Sequence, residues 1–136
     1  MKTWFLLAIS CLYFSSSAMG AENFPRQNLL VEADEFPKSV IVLDARPQKA
    51  YEATHIPGAV WVDHAAWSKS FGDGDDSEAW SKRIGELGID GRGAVVVYDD
   101  SSFKDSARIW WILRYWGVPH ARLLDGLAGG EAPCGK

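Results

Sequence analysis

Four short apolar runs each close on an aspartate: Val40-Ile41-Val42-Leu43 before Asp44, Ala59-Val60-Trp61-Val62 before Asp63, Ala94-Val95-Val96-Val97-Tyr98 before Asp99, and Ala121-Arg122-Leu123-Leu124 before Asp125. The polar alternation that marks a strand with one wet face is missing, so both faces of these strands have to be covered. Helical segments are read between them over residues 27–34, 47–54 (with proline at the start), 77–87 and 106–116. The expected fold class is therefore α/β, a three-layer α/β/α domain with a central parallel sheet. The last helix carries Ile109, Trp110, Trp111, Ile112, Leu113, Tyr115 and Trp116 nearly all round, which predicts a buried helix.

The chain has 136 residues, 47% of them hydrophobic and 12% aromatic, which suits one globular domain and not a disordered tail. Its net charge of −4 argues against a nucleic-acid partner, because phosphate backbones select basic surfaces. The cysteines are Cys11 and Cys134, too few for a disulfide framework or a four-thiolate zinc site. No repeat or low-complexity linker divides the chain, and no cofactor or metal is expected.

Residues 1–20 read as a signal peptide: Met1 and Lys2 give a positive start, Trp4 to Phe14 an apolar run, and Ala18 and Gly20 the small residues before cleavage. The expected product is exported, periplasmic or secreted, and begins at Ala21. The apolar run is shorter than the roughly 20 residues that a bilayer crossing needs, so no membrane span is expected. A lipoprotein reading through Ser10-Cys11 fits less well, since Cys11 lies inside the apolar run. Once the leader is gone Cys134 is the only thiol, and it has no sequence neighbour that would activate it.

Two loops and one helix end carry candidate chemistry. Residues 68–78 read as a solvated loop around Gly72-Asp73-Gly74-Asp75-Asp76, whose spacing does not match a twelve-residue calcium loop. Asp99 opens the second loop, Asp99-Asp100-Ser101-Ser102-Phe103-Lys104-Asp105-Ser106, which leads from a strand end into a helix start. Ligands of α/β sheets bind at such strand ends, and a helix start offers free N–H groups and a positive dipole to an anion. The plainer role for Asp105 or Ser106 is to cap the helix. In Tyr51-Glu52-Ala53-Thr54-His55-Ile56-Pro57-Gly58-Ala59, Tyr51 and His55 share a helix face, and His55 suits a structural hydrogen bond at a helix end better than catalysis.

The run YEATHIPGAVWV, with Tyr51, His55, Ile56, Pro57, Gly58 and Ala59, resembles the N-terminal signature of rhodanese-like domains. LDAR at 43–46, VVVYDD at 95–100, SARIWWILRYWG at 106–117 and LLDG at 123–126 are similar to further stretches of that family, in the same order. The resemblance implies sulfur transfer from thiosulfate or 3-mercaptopyruvate to a thiophilic acceptor through a cysteine persulfide, because a soft thiolate can take up sulfur and give it back. The position that matches the family's cysteine is Asp99, which keeps the negative charge but cannot form a persulfide. The chain resembles the N-terminal, non-catalytic half of tandem sulfurtransferases, which implies a second, cysteine-bearing rhodanese domain as partner. Small sulfur compounds would then be handled through that domain.

The segment from Asp125 to Lys136 departs from the family pattern, which leads to the expectation of a C-terminally truncated domain over 21–136. The resemblance also places His55 near the interface with the second half. Arg108 lies near enough to the helix start to reach an anion held by the loop, while surface roles for it and for Arg114 are the simpler reading. Two alternatives stand beside the half-enzyme reading. One is a stand-alone rhodanese-like binding or regulatory module using the loop after Asp99. The other is phosphoryl transfer with Asp99 as nucleophile and Asp44 as a distant magnesium ligand.

Overall fold

The computed structural model describes residues 28–32, 35, 39–100 and 102–125. In chain order they form β1 (Leu30–Glu32), β2 (Val40–Asp44), α1 (Gln48–Ala53), β3 (Val60–Trp61), α2 (His64–Phe71), α3 (Ser77–Gly85), β4 (Ala94–Tyr98), α4 (Lys104–Tyr115) and β5 (Ala121–Asp125). The strands make one parallel sheet in the order β1-β5-β4-β2-β3. The all-parallel sheet flanked by helices is the α/β architecture that the uninterrupted apolar runs require.

Burial follows the two faces of the sheet. From β4, Val95 and Val97 join Leu43, Val62, Trp67, Trp80, Ile84, Ile109, Ile112 and Leu113 in the core beneath α2, α3 and α4. Val96 and Tyr98 point the other way, into a smaller core with Val31, Val42, Ile56, Ala59 and Leu124. The turn after α1 closes this second face: Pro57 and Gly58 stand at its centre, Gly58 has φ of 79°, and the Ala59 N–H donates to the Ile56 carbonyl at 2.9 Å. Those are the features of a type II turn, which needs a residue tolerant of positive φ at its third position.

Three expectations are corrected. The described part of segment 27–34 contains strand β1 and not a helix: Leu30, Val31 and Glu32 stand in register with Leu123, Leu124 and Asp125, and pairing with a neighbour outweighs local propensity. The loop expected over 68–78 begins later, because α2 runs to Phe71 and starts where the Asp63 carboxylate accepts the Ala66 N–H at 2.9 Å. Asp76 likewise accepts the Ala79 N–H at 3.0 Å and starts α3, so this acidic residue serves as a helix cap.

Helix α4 is the third case, buried on one stripe and not all round. Ile109, Ile112 and Leu113 have no exposure, whereas Trp111 and Tyr115 are 41% and 51% exposed. Phe71 at the end of α2 packs against both outer rings, with centroids 5.0 Å from Trp111 and 5.1 Å from Tyr115. The Tyr115 hydroxyl donates to the Gly74 carbonyl at 2.9 Å and so ties α4 to the turn between α2 and α3.

Among the described residues Trp80 is the largest fully buried side chain, edge-on to Trp67 at 5.1 Å and stacked with Trp116 at 6.2 Å. Trp80→Ala should lower the unfolding free energy by about 3–5 kcal/mol through lost burial and the cavity left behind. Trp111→Ala should cost far less, since its ring is already part-solvated. Equilibrium denaturant titrations of the two variants against the parent check the difference.

Candidate functional site

The carboxyl ends of β2 and β4 lie side by side, since Asp44 is in register with Tyr98. That register brings three buried polar side chains together: Asp44 with no exposure, Arg46 with 5% and Asp99 with 5%. Asp44 and Asp99 have separate hydrogen-bonding partners, and the two carboxylates do different work.

Asp44 is held from several sides. The Arg46 guanidinium approaches it side-on, Nε at 3.0 Å from Oδ1 and Nη2 at 2.7 Å from Oδ2, while the Arg46 N–H donates to Oδ1 at 2.9 Å. The Tyr98 hydroxyl donates to Oδ2 at 2.5 Å and accepts the Ile56 N–H at 3.2 Å. A further bond, from Arg46 Nη2 to the Thr54 carbonyl at 2.6 Å, carries the network into the end of α1. The hydrogen bonds to Asp44 raise the arginine's affinity for its proton above its usual value. Burial, and then donation to Asp44, push the Tyr98 phenol well above the ordinary tyrosine range.

Asp99 stands where β4 gives way to the loop before α4. Its Oδ1 accepts the Phe103 N–H at 3.1 Å. Its Oδ2 accepts the Asp105 N–H at 3.2 Å, the Ser106 N–H at 3.1 Å and the Ser106 hydroxyl at 3.0 Å. Phe103 is the N-cap residue of α4, with φ of 55° and ψ of 7°, and its side chain caps nothing. A non-glycine residue in this left-handed region is strained, and the loop keeps it there with its N–H on the carboxylate. Asp99 thus does from the strand end what a capping side chain does from the N-cap. The cap expected from Asp105 or Ser106 is replaced by this one, as both residues lie inside α4 and present N–H groups to Asp99.

The rest of the loop is turned outward. Asp100 and Ser102 are exposed and linked by a 3.3 Å hydrogen bond, Lys104 is exposed, and Ser101 lies outside the described residues. Asp105 meets His64, Oδ1 to Nε2 at 3.4 Å, an ion pair when the ring is protonated. His64 Nδ1 is 3.0 Å from the Ala45 carbonyl and must carry a hydrogen to bond it. Sequence reasoning missed His64, whose only local signal is its place directly after the capping Asp63. It also left Arg46 and Tyr98 without roles, although an arginine two residues beyond a strand-end aspartate is placed to fold back onto it.

The signature residues form a brace beside this site. His55 stacks on Tyr51 with centroids 4.0 Å apart and sets Nδ1 2.9 Å from the Tyr51 carbonyl. The Tyr51 hydroxyl donates to the Ala59 carbonyl at 3.0 Å, across the Ile56-Pro57-Gly58 turn. Arg108 sits elsewhere: its guanidinium lies over Phe71 and Trp111, 5.7 and 5.2 Å from the ring centroids, on the outer side of α4. Arg114 donates to the Pro119 carbonyl. Residues 1–20, Cys134 and the segment after Asp125 lie outside the described residues. Among those described, no helix is long and apolar enough to cross a membrane.

An open hollow of about 930 Å³ lies between α3 and the residues leading into β4 and β5, lined by Ser81, Ile84, Asp90, Trp116 and Val118 among others. It adjoins the amino ends of those strands, away from Asp44 and Asp99, and ligands of this fold class bind at the carboxyl ends.

A parallel sheet flanked by helices, with a loop leading from the end of a central strand into a helix start, sets the class of protein as α/β. A family profile described as a rhodanese-like domain matches residues 27–126, and the chain belongs to that family. It is 32% identical over 92 residues to thiosulfate/3-mercaptopyruvate sulfurtransferase 2 of Arabidopsis thaliana, covering 59% of this chain and 25% of that protein. With 3-mercaptopyruvate sulfurtransferase of Escherichia coli K12 it shares 33% identity over 91 residues, 63% of this chain and 32% of that protein. The crystal structure of SseA from Escherichia coli superposes with a TM-score of 0.60 at 26% identity, over 74% of this chain and 46% of that one. The chain therefore spans a quarter to a third of the length of these curated relatives.

Tyr98→Phe should cost about 1–3 kcal/mol, because it leaves the buried Ile56 N–H without its acceptor and removes one donor from Asp44 Oδ2, which keeps the Arg46 guanidinium. The raised phenol adds a pH signature. The folded state holds the proton above the unfolded pKa of about 10, so this stabilisation is complete below that pH and is lost as pH rises beyond it. Denaturation midpoints from pH 8 to 11 should fall more steeply for the parent than for Tyr98→Phe.

Proposed function

We propose that this chain is the non-catalytic rhodanese-like half of an exported sulfurtransferase acting on thiosulfate or 3-mercaptopyruvate, with the persulfide-forming cysteine supplied by a second rhodanese-like domain. The observation that carries the reading is Asp99: at the strand-end position where the family resemblance expects a thiolate stands a buried carboxylate whose oxygens accept hydrogen bonds from Phe103, Asp105 and Ser106. A carboxylate offers no sulfur to carry the transferred atom. The relatives' names supply the substrate class, and their greater length supplies the room for a second half. The same engagement of Asp99 counts against its acting as a phosphoryl nucleophile, because its oxygens are already committed as acceptors. Export rests on the leader-like residues 1–20.

Purified residues 21–136 should form no thiocyanate from thiosulfate and cyanide, and 3-mercaptopyruvate should give no sulfide with a thiol acceptor. Turnover that survives Cys134→Ser would overturn the assignment of Asp99 to the cysteine position. An antibody against residues 21–136 should detect in the source a protein about twice the mass of one domain, or a separate cysteine-bearing rhodanese domain that co-purifies with this chain. A lone band at the size of one domain with no such companion would favour a stand-alone module.

A further inference from the structure

We propose that His64 is a proton-operated clamp between the end of β2 and the start of α4: protonated, its ring fastens Asp105 to Ala45, and neutral, it lets Asp105 go. The ring lies between two oxygen acceptors, with Nδ1 3.0 Å from the Ala45 carbonyl and Nε2 3.4 Å from Asp105 Oδ1. A neutral imidazole carries one hydrogen, so either tautomer turns a lone pair toward one of those oxygens. The imidazolium alone turns N–H toward both. Ala45 has no exposure, so water is a poor substitute donor for its carbonyl and the hydrogen stays on Nδ1. The neutral ring then meets the Asp105 carboxylate with a bare nitrogen, and protonation turns that contact from repulsion into attraction.

The other charged groups around the ring are engaged elsewhere. Asp63, beside it in the chain, spends its carboxylate on the Ala66 N–H, and Lys69 lies in the last turn of α2. At the end of β2, Asp44 and Arg46 are bound to each other. Across from α2, Asp99 is held by Phe103, Asp105 and Ser106, Asp100 is linked to Ser102, Lys104 is exposed, and Arg108 lies over Phe71 and Trp111. Among the described residues Asp105 is the ring's ion-pair partner, and both side chains are partly sheltered, with 29% and 23% of their surface exposed.

The clamp acts on the loop after Asp99. His64 opens α2, Asp105 stands in the first turn of α4, and the two helices pack together. The Asp105 N–H donates to Asp99, so the loop is fixed to β4 at its start, while the clamp fixes its far end to β2 through Ala45. Acid therefore stiffens the loop at the carboxyl edge of the sheet, and a rise in pH through the histidine's titration frees it. None of this depends on a second, cysteine-bearing domain, so the clamp stands or falls separately from the proposed function.

The test is a double-mutant cycle on the purified chain, with His64→Gln, Asp105→Asn and the two together. Folding equilibria are measured by denaturant titration at about pH 5.5 and about pH 8.5, on either side of the ordinary histidine range. Each change also alters the charge at a helix start, and the cycle cancels that common effect. At the lower pH the pair should raise the folding equilibrium constant about three-fold, the scale of a partly exposed ion pair, and at the higher pH no favourable coupling should remain. Equal coupling at both pH values, coupling that grows with pH, or none at either would overturn the proposal. Should a variant fail to fold, the parent gives a second readout. Its Asp105 carboxyl ¹³C resonance should shift with the same midpoint as the His64 ring, and a carboxyl resonance that ignores the ring's titration would sink the clamp.

Discussion

A carboxylate with no exposure survives only where donors replace its water, and the Asp44 network meets that condition with three segments of chain. Arg46 supplies charge and geometry from the residue after next, Tyr98 supplies a hydroxyl from β4, and the carbonyl of Thr54 and N–H of Ile56 draw in the turn after α1. Losing either charged partner would strand the other in the interior, which typically costs about 3–5 kcal/mol, so the network fixes geometry more surely than it adds net stability. The geometry so fixed is the alignment of the β2 and β4 ends with the HIPGA turn. Asp99 is the next residue along from Tyr98, so the loop between β4 and α4 is anchored at its first residue.

The strand-end aspartates look alike in the sequence and have been put to different uses. Asp44 binds an arginine and a tyrosine inside the domain. Asp63 is exposed and starts α2 in the ordinary way, through the Ala66 N–H. Asp99 is buried and caps α4 from a distance, with Phe103 taking the N-cap position in a strained backbone. The difference lies in the chain immediately C-terminal to each residue. A helix begins directly after Asp63, whereas Asp99 is separated from α4 by a loop that has to curl back over the carboxylate. Strain at Phe103 is the cost of that curl, offset by a charge-assisted cap in a sheltered place.

The runs that became β2 and β4 were legible in the sequence because burial on both faces leaves a direct compositional mark, whereas β3, at the sheet edge, keeps Val60 38% exposed. β1 was not legible, since its three residues are a strand by virtue of β5 beside them, and pairing between segments some ninety residues apart leaves no local trace. α2 was hidden by its shortness and by the glycines and aspartates after it. On α4 the apolar count predicted burial all round; the exposed Trp111 and Tyr115 lie against Phe71, a contact that depends on where α2 ends. At the site, the order Asp99 to Ser106 and the stacked Tyr51 and His55 follow from spacing. The grip of Arg46 and Tyr98 on Asp44 and the meeting of His64 with Asp105 depend on strand register, which spacing along the chain does not reveal.

Under the proposed function, electrostatics is what a cysteine-bearing domain and this one would share. A loop of N–H groups at a helix start stabilises negative charge whichever atom carries it, because dipoles and hydrogen bonds respond to charge and distance and only weakly to the element. A thiolate in that cradle is both held and reactive. A carboxylate is held equally well and is inert toward sulfur. Under the proposed function, a carboxylate in place of a thiolate would leave the electrostatic balance of the fold intact while removing sulfur chemistry, whereas an apolar residue would leave converging donors unsatisfied in a buried place. Aspartate suits this position for that reason: it is short, brings a negative charge, and can receive two sets of donors on its two oxygens, as the Phe103 and Ser106 contacts of Asp99 show.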